Sequence, residues 1–182
     1  MPIFHHNTRG RVLFVHIPKT GGSSIEHWLR THGYGLDKFS SWEGGGYQHA
    51  TQQIYSAWGE FDYEFTVVRH PLQRFVSILG YLGIPKDGSN AHALYVLKEF
   101  DKDNSYLGNH VRPQVQFISD KTEVFKFEDD FFPKIGSALS LPGPFPHVNK
   151  KRTNVELSDL SEQVIKRLRE LYREDFQRFG YQ

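Results

Sequence analysis

The chain has 182 residues, enough for one domain with a hydrophobic core, and its 22 basic and 21 acidic side chains nearly cancel. That balance argues against a general nucleic-acid-binding protein. The absence of cysteine excludes disulfides, thiolate catalysis and cysteine-based zinc sites. No apolar stretch reaches the roughly 18 residues of a membrane span, and the first residues lack a signal-peptide core, so we expect a cytoplasmic protein without a transmembrane segment.

The first predicted elements are a strand, a glycine loop and a helix. Residues 11–17 (RVLFVHI) form a β-branched and aromatic run of the kind found in buried strands. The loop PKTGGSS (residues 18–24) follows, and apolar side chains then recur at helical spacing over residues 25–29. The segment before the strand, which includes His5 and His6, is expected to be disordered.

Two further strand–helix pairs follow along the chain. Residues 65–68 (FTVV) predict a buried strand, and a helix with proline in its first turn is expected over residues 71–80. Residues 123–127 (EVFKF) predict a third strand, followed by a helix that ends near Leu139. Three such units favour an α/β fold, with a P-loop-like parallel β-sheet flanked by helices in a single domain over residues 1–182.

The remaining segments predict further helices. Short helices are expected over residues 51–58 and 91–100, whereas residues 113–118 are compatible with either a helix or a short strand. One long final helix is expected to begin at Ser158 or Asp159, because a hydroxyl or carboxylate there precedes an apolar stripe.

The loop of residues 18–24 has the composition of an anion-binding site. The first backbone N–H groups of a helix lack partners within the helix, and glycines let a phosphate approach them closely. Lys19 adds a positive charge, and Thr20, Ser23 and Ser24 add hydroxyl donors. The loop differs from the nucleotide P-loop G-x-x-x-x-G-K-[ST], because its lysine precedes the glycines.

A second group of anion-binding side chains follows the second predicted strand. Arg69 lies at the end of that strand, and Arg74 and Ser77 are three residues apart on the next helix, so they share a face. In open α/β sheets, ligands bind at the carboxyl ends of the strands. Three side chains that can bind a phosphate are therefore expected to project from this strand end.

The two segments together resemble the sulfotransferases that use 3′-phosphoadenosine 5′-phosphosulfate (PAPS). The strings HIPKTGGSS, VVRHPLQRF, VFKFED, PHVNKKR and YREDFQRFGY are similar to the branch with carbohydrate 2-O-sulfotransferases and small bacterial relatives. The similarity spans residues 15–181. At His70 the chain departs from the resemblance, because many members have aspartate there; the change removes no phosphate ligand.

The resemblance implies roles for individual residues, with PAPS as the donor, the 3′,5′-bisphosphate PAP as the product and no required metal. The residues that would hold the 5′-phosphosulfate are Lys19, Thr20, Gly21, Gly22, Ser23 and Ser24. Arg69 and Ser77 would hold the 3′-phosphate. The basic run Lys150, Lys151 and Arg152 falls where members place a nucleotide-gripping loop, although the resemblance does not say which of the three contacts the nucleotide.

His49 is the predicted general base among ten histidines. Sulfuryl transfer to a hydroxyl requires removal of a proton, which a neutral imidazole can accept, and Lys19 can stabilise the departing phosphate. His49 follows a glycine-rich loop, and residues 47–51 resemble the stretch that holds the family's catalytic histidine. His16, within the first strand, is expected to be a packed core residue. Arg112 and Gln114 resemble acceptor-facing residues.

Two other functions are compatible with the sequence. A nucleotide-dependent kinase would use a P-loop lysine and a magnesium-binding carboxylate, and the position of Lys19 argues against it. A non-catalytic nucleotide-binding protein could have the same fold. The expected partner is a sugar hydroxyl on a glycan or glycoconjugate, while a small alcohol, a lipid or a peptide tyrosine stays open.

Overall fold

The β-branched and aromatic runs of the sequence form the strands of a mixed sheet. The computed structural model describes residues 1–36, 47–144 and 154–182, and within these ranges the chain forms four strands and seven α-helices. The strands are β1 (Ile3–His6), β2 (Gly10–Val15), β3 (Tyr63–Val68) and β4 (Thr122–Lys126). The helices are α1 (Gly22–Thr31), α2 (Gln52–Tyr55), α3 (Pro71–Tyr81), α4 (Ser89–Lys102), α5 (Phe131–Leu139), α6 (Glu162–Leu171) and α7 (Arg173–Phe179).

The described residues group into two compact units. The first comprises residues 1–36, 47–68 and 116–144, and it contains the sheet. The second comprises residues 69–115 and 154–182 and is helical. None of the helices in these ranges has the length and apolarity needed to cross a membrane.

The sheet has the order β1-β2-β3-β4, and its last three strands are parallel. The predicted α/β class is therefore confirmed, as a four-stranded mixed sheet flanked by helices. The three predicted strands are parallel as expected, but an unpredicted strand, β1, pairs antiparallel with β2. The expectation of a disordered start was wrong, because β1 contains His5 and His6. Ile3 and Phe4 are buried, and their burial favours order in this segment.

The core of the first unit lies between the sheet and helices α1 and α5. The buried face of α1 presents Ile25, Trp28 and Leu29, as their helical spacing predicts. These side chains share one hydrophobic cluster with Phe14 of β2 and Phe65 of β3, whose rings stack with centroids 5.0 Å apart. Because parallel strands end at the same edge, β2, β3 and β4 all end where the loop of residues 18–24 begins.

The second unit has its own hydrophobic cluster, built from α3, α4 and α6. The predicted start of the final helix was wrong. The hydroxyl of Ser161 caps α6 by accepting the backbone N–H of Val164, whereas Asp159 pairs with Glu156 in the capping box of a preceding 3-10 turn. The helix is also interrupted at Tyr172, where α6 ends and α7 follows.

Candidate functional site

The loop after β2 has an unusual backbone at Lys19. This half-buried lysine has a φ angle of 67°, in the left-handed region that non-glycine residues rarely occupy. A residue held there costs about 1–3 kcal/mol, and such strain is concentrated at functional sites. The buried hydroxyl of Thr20 donates to the carbonyl of Ile17 at 2.9 Å, so it closes the turn from within. An anion would therefore meet the backbone of Thr20 rather than its hydroxyl proton.

Helix α1 begins directly after this turn. Gly21 is its N-cap, with a φ angle of 87°, and no side chain in the described part of the chain caps it by a hydrogen bond. Its first turn contains no acidic residue, so the positive end of the helix dipole is not offset there by a carboxylate. Ser23 is exposed and Ser24 is half-buried in this first turn. Lys19, the helix start and these hydroxyls thus form a local environment that favours an anion.

Gly22 is required by packing against His16. A β-carbon at position 22 would overlap the His16 ring, at Cδ2 and Nε2. His16 is 4% exposed and its Nδ1 lies 2.6 Å from Oε1 of Glu26, one helical turn beyond Gly22. The ring also stacks on Phe14 with centroids 5.5 Å apart. The prediction that His16 is packed is confirmed, and its pairing with Glu26 was not expected.

His49 is joined to the same histidine. Its Nδ1 lies 2.9 Å from the backbone carbonyl of His16, and the two rings meet edge to face at 4.7 Å. A carbonyl oxygen only accepts hydrogen bonds, so Nδ1 of His49 must carry the proton. In the neutral imidazole, Nε2 then has the lone pair that a general base needs.

In the second unit, Arg69 and Ser77 are both half-buried, at the start of α3 and within it. The main chain of Arg69 is held by Gln114, whose Oε1 accepts the Arg69 N–H at 2.9 Å and whose Nε2 donates to the Arg69 carbonyl at 2.8 Å. Gln114 is fully buried. These contacts do not support the prediction that Gln114 binds the acceptor; its amide is used to fix Arg69.

Asp175 supports this arrangement from α7. Its carboxylate accepts the backbone N–H groups of Gln114 and Val115, each at 2.9 Å. Burial raises the pKa of Asp175, while the nearby charge of Arg74 and the hydrogen bonds act in the opposite direction. The four-residue spacing of Leu171, Asp175 and Phe179 was the available sequence signal, because it puts Asp175 on an otherwise apolar stripe.

Arg74 does not project from the strand end as a phosphate-capable side chain, contrary to the prediction. Its side chain is fully buried, and its guanidinium donates to the carbonyls of His110 at 2.8 Å and Arg112 at 2.6 Å. It also lies over the ring of Tyr172, 5.2 Å from the centroid. Arg74 therefore holds the backbone of the segment that presents Arg112, instead of binding a ligand.

The other predicted residues are placed as follows. Arg112 is half-buried and its Nε donates to Oδ1 of Asn109 at 2.8 Å. The Nε2 atom of His70 lies 3.2 Å from the Gln182 carbonyl, and the His70 ring contacts Phe176. Lys150, Lys151 and Arg152 lie outside the described residues. The structure thus joins His49 to the Lys19 loop through His16, and Arg69 to Gln114.

Comparison of the chain with models of protein families, with curated proteins and with solved structures finds no match. The sulfotransferase resemblance therefore stays a prediction from sequence. Among the described residues, no group of three or more His, Asp or Glu side chains could hold a metal ion.

The contact between Gly22 and His16 predicts an unusual response to alanine. Alanine normally stabilises a helix relative to glycine by about 0.5–1 kcal/mol. We expect Gly22→Ala to lower the free energy of unfolding instead, by about 1–3 kcal/mol, because the new methyl group displaces His16 from Glu26. Chemical denaturation measures the change. Gly35→Ala is the control, since nothing lies within 4 Å of a β-carbon there; equal effects of the two variants would contradict the contact.

The Glu26–His16 pair predicts acid sensitivity. Burial, the largest single effect, acts to raise the pKa of Glu26, but the hydrogen bond and charge of His16, together with the charges of the N-terminus and Arg30, outweigh it, so this pKa lies below its ordinary value of 4.5. The ionised carboxylate therefore stabilises the fold above pH 4.5, and this contribution is lost as the pH falls through the folded-state pKa. Melting temperatures of the wild type and Glu26→Gln should differ most at neutral pH and converge in acid. Glu60→Gln, with a side chain that is 91% exposed, serves as control; a pH-independent gap for Glu26→Gln would refute the linkage.

Proposed function

We propose that the chain is a sulfotransferase that moves the sulfuryl group of PAPS to a hydroxyl of a carbohydrate or glycoconjugate. The observation that carries the proposal is the loop of residues 18–24, where a strained lysine adjoins a helix start without an acidic residue or a side-chain cap. Such a start, with two neighbouring glycines, suits the 5′-phosphosulfate of the donor. The P-loop-like identity of the fold and a cytoplasmic location belong to the same proposal.

The proposal assigns the two ends of the donor to separate groups of the protein. PAPS supplies the sulfuryl group when bound. Lys19 and the backbone of residues 20–24 would hold its 5′ end, and Arg69 and Ser77 would hold its 3′-phosphate. Lys19 would also balance the charge that develops on the leaving phosphate. The two glycines would let the backbone N–H groups reach the anion without hindrance from β-carbons.

His49 would remove the acceptor proton. Its Nδ1–H donates to the carbonyl of His16, so Nε2 is the basic nitrogen of the neutral ring and would accept the proton of the acceptor hydroxyl. His49 as a residue is half-buried, so it is partly accessible to solvent while its Nδ1 is held in place. Arg112 is the residue proposed for contact with the acceptor, and Gln114 is withdrawn from that role because of its contacts with Arg69.

Binding of two nucleotides tests the donor assignment. We expect PAP to bind more tightly than adenosine 5′-phosphate by about 10- to 100-fold, because only PAP has the 3′-phosphate. Arg69→Ala should abolish that difference, and Lys19→Ala should weaken both ligands. Isothermal titration calorimetry measures the affinities, with Lys121→Ala, whose side chain is 71% exposed, as control. Thermal stabilisation by ATP with magnesium and not by PAP would overturn the proposal in favour of a kinase.

Replacement of His49 tests the catalytic assignment. His49→Ala should fold and bind PAP with wild-type affinity, while sulfuryl transfer falls by about 10²–10⁴-fold through loss of the base. His27→Ala, at an exposed position of α1, is the matched control. Transfer is measured with labelled donor against a panel of glycans, small alcohols, lipids and tyrosine peptides. Near-normal turnover by His49→Ala would eliminate it as the base; PAP binding with no transfer to any acceptor would indicate a non-catalytic binding protein.

A further inference from the structure

His16 and Glu26 form a short, mostly buried contact that has no role in the proposed sulfuryl transfer. The Nδ1 atom of His16 lies 2.6 Å from Oε1 of Glu26, and the side chains are only 5% and 19% exposed. Burying a charged group costs folding free energy unless the group is paired and hydrogen-bonded. The pairing of Glu26 with His16 therefore calls for an explanation.

His16 is fixed on every side for which the structure gives a contact. Glu26 holds the Nδ1 edge of the ring, Gly22 lies against the opposite Cδ2–Nε2 edge, and Phe14 stacks on its face. Gly22 and Glu26 are four residues apart on α1 and share a helical face. The ring therefore ties the end of β2 to the first turns of α1.

His49 in turn takes its orientation from His16 at two points. Its Nδ1 donates to the His16 carbonyl at 2.9 Å, and its ring packs edge to face on the His16 ring at 4.7 Å. A shift of the His16 ring would move the edge-to-face contact directly, and would loosen the hydrogen bond where the ring carries the main chain of residue 16 with it. A histidine whose second nitrogen is held by a backbone carbonyl keeps one tautomer, and loss of that support allows both.

We propose that Glu26, through His16, is a positioning residue that holds His49 with its proton on Nδ1. The inference rests on the proposed function only where it makes His49 the base; the orientation itself is a property of the folded chain. Neither His16 nor Glu26 is assigned a contact with donor or acceptor.

The direct test is ¹⁵N NMR of the histidine side chains. At a pH of about 8, where free imidazoles are neutral, long-range ¹H–¹⁵N spectra show which ring nitrogen has the proton. The His49 signals are assigned by their loss in His49→Ala. We expect wild-type His49 to be the Nδ1–H tautomer and Glu26→Ala to give a mixture of both. Glu26→Gln, which keeps an oxygen acceptor for His16, should restore the wild-type pattern, and Glu60→Ala should leave it unchanged.

A second variant covers the case in which Glu26→Ala does not fold. The double substitution His16→Leu with Glu26→Leu removes the ring that packs on His49, fills part of its space and leaves no unpaired charge, since replacing both partners of a buried pair can be nearly neutral. It should also yield mixed His49 tautomers. A folded Glu26→Ala or double variant with the wild-type His49 spectrum would overturn the inference.

Kinetics provide an independent readout. We expect Glu26→Ala to lower kcat by about 10- to 100-fold with unchanged KM for the donor and unchanged PAP affinity, because the base is misplaced while the anion loop is kept. A kcat that falls only with the folded fraction would indicate a structural role and contradict the inference. If the wild type transfers no sulfuryl group, the proposed function fails, whereas the nitrogen spectra still decide the role of Glu26.

Discussion

The close packing of His16 beneath Gly22 is the contact on which the candidate site depends. It explains why a glycine begins α1, it holds the helix start beside the left-handed turn at Lys19, and it places the carbonyl that fixes His49. A left-handed lysine persists only where the surrounding structure compensates for its cost. The hydrogen bond inside the turn, from the Thr20 hydroxyl to the Ile17 carbonyl, contributes to that compensation.

In the second unit, a buried polar network fixes the main chain of Arg69, as His16 fixes His49 in the first. Asp175 binds the backbone at Gln114, and Gln114 holds both polar groups of the Arg69 main chain. Buried polar groups are stable only when their hydrogen bonds are made, so these residues fix one conformation at the start of α3. In both units, a residue proposed to act on the ligand is oriented by buried neighbours that would not touch it.

Local patterns in the sequence predicted most of the helices and strands, but few of the buried contacts that orient the candidate site residues. The apolar run of residues 65–68 predicted β3, because buried parallel strands are continuously apolar. The edge strand β1 was missed because four residues with two histidines carry little strand signal. Gln114 and Arg69 are 45 residues apart, and no local spacing reveals such a hydrogen bond. Arg74 was grouped with Arg69 and Ser77 because helical spacing predicts a shared face, but spacing does not predict whether that face is buried.

The central claim is that the loop of residues 18–24 binds the 5′ end of a nucleotide that also has a 3′-phosphate. A crystal structure of the chain with PAP tests it most directly. We expect the 5′-phosphate at the backbone N–H groups that begin α1, within hydrogen-bond distance of Lys19, and the 3′-phosphate at Arg69 and Ser77. A 5′-phosphate bound away from residues 19–24, in a complex formed in solution at the same affinity, would contradict it.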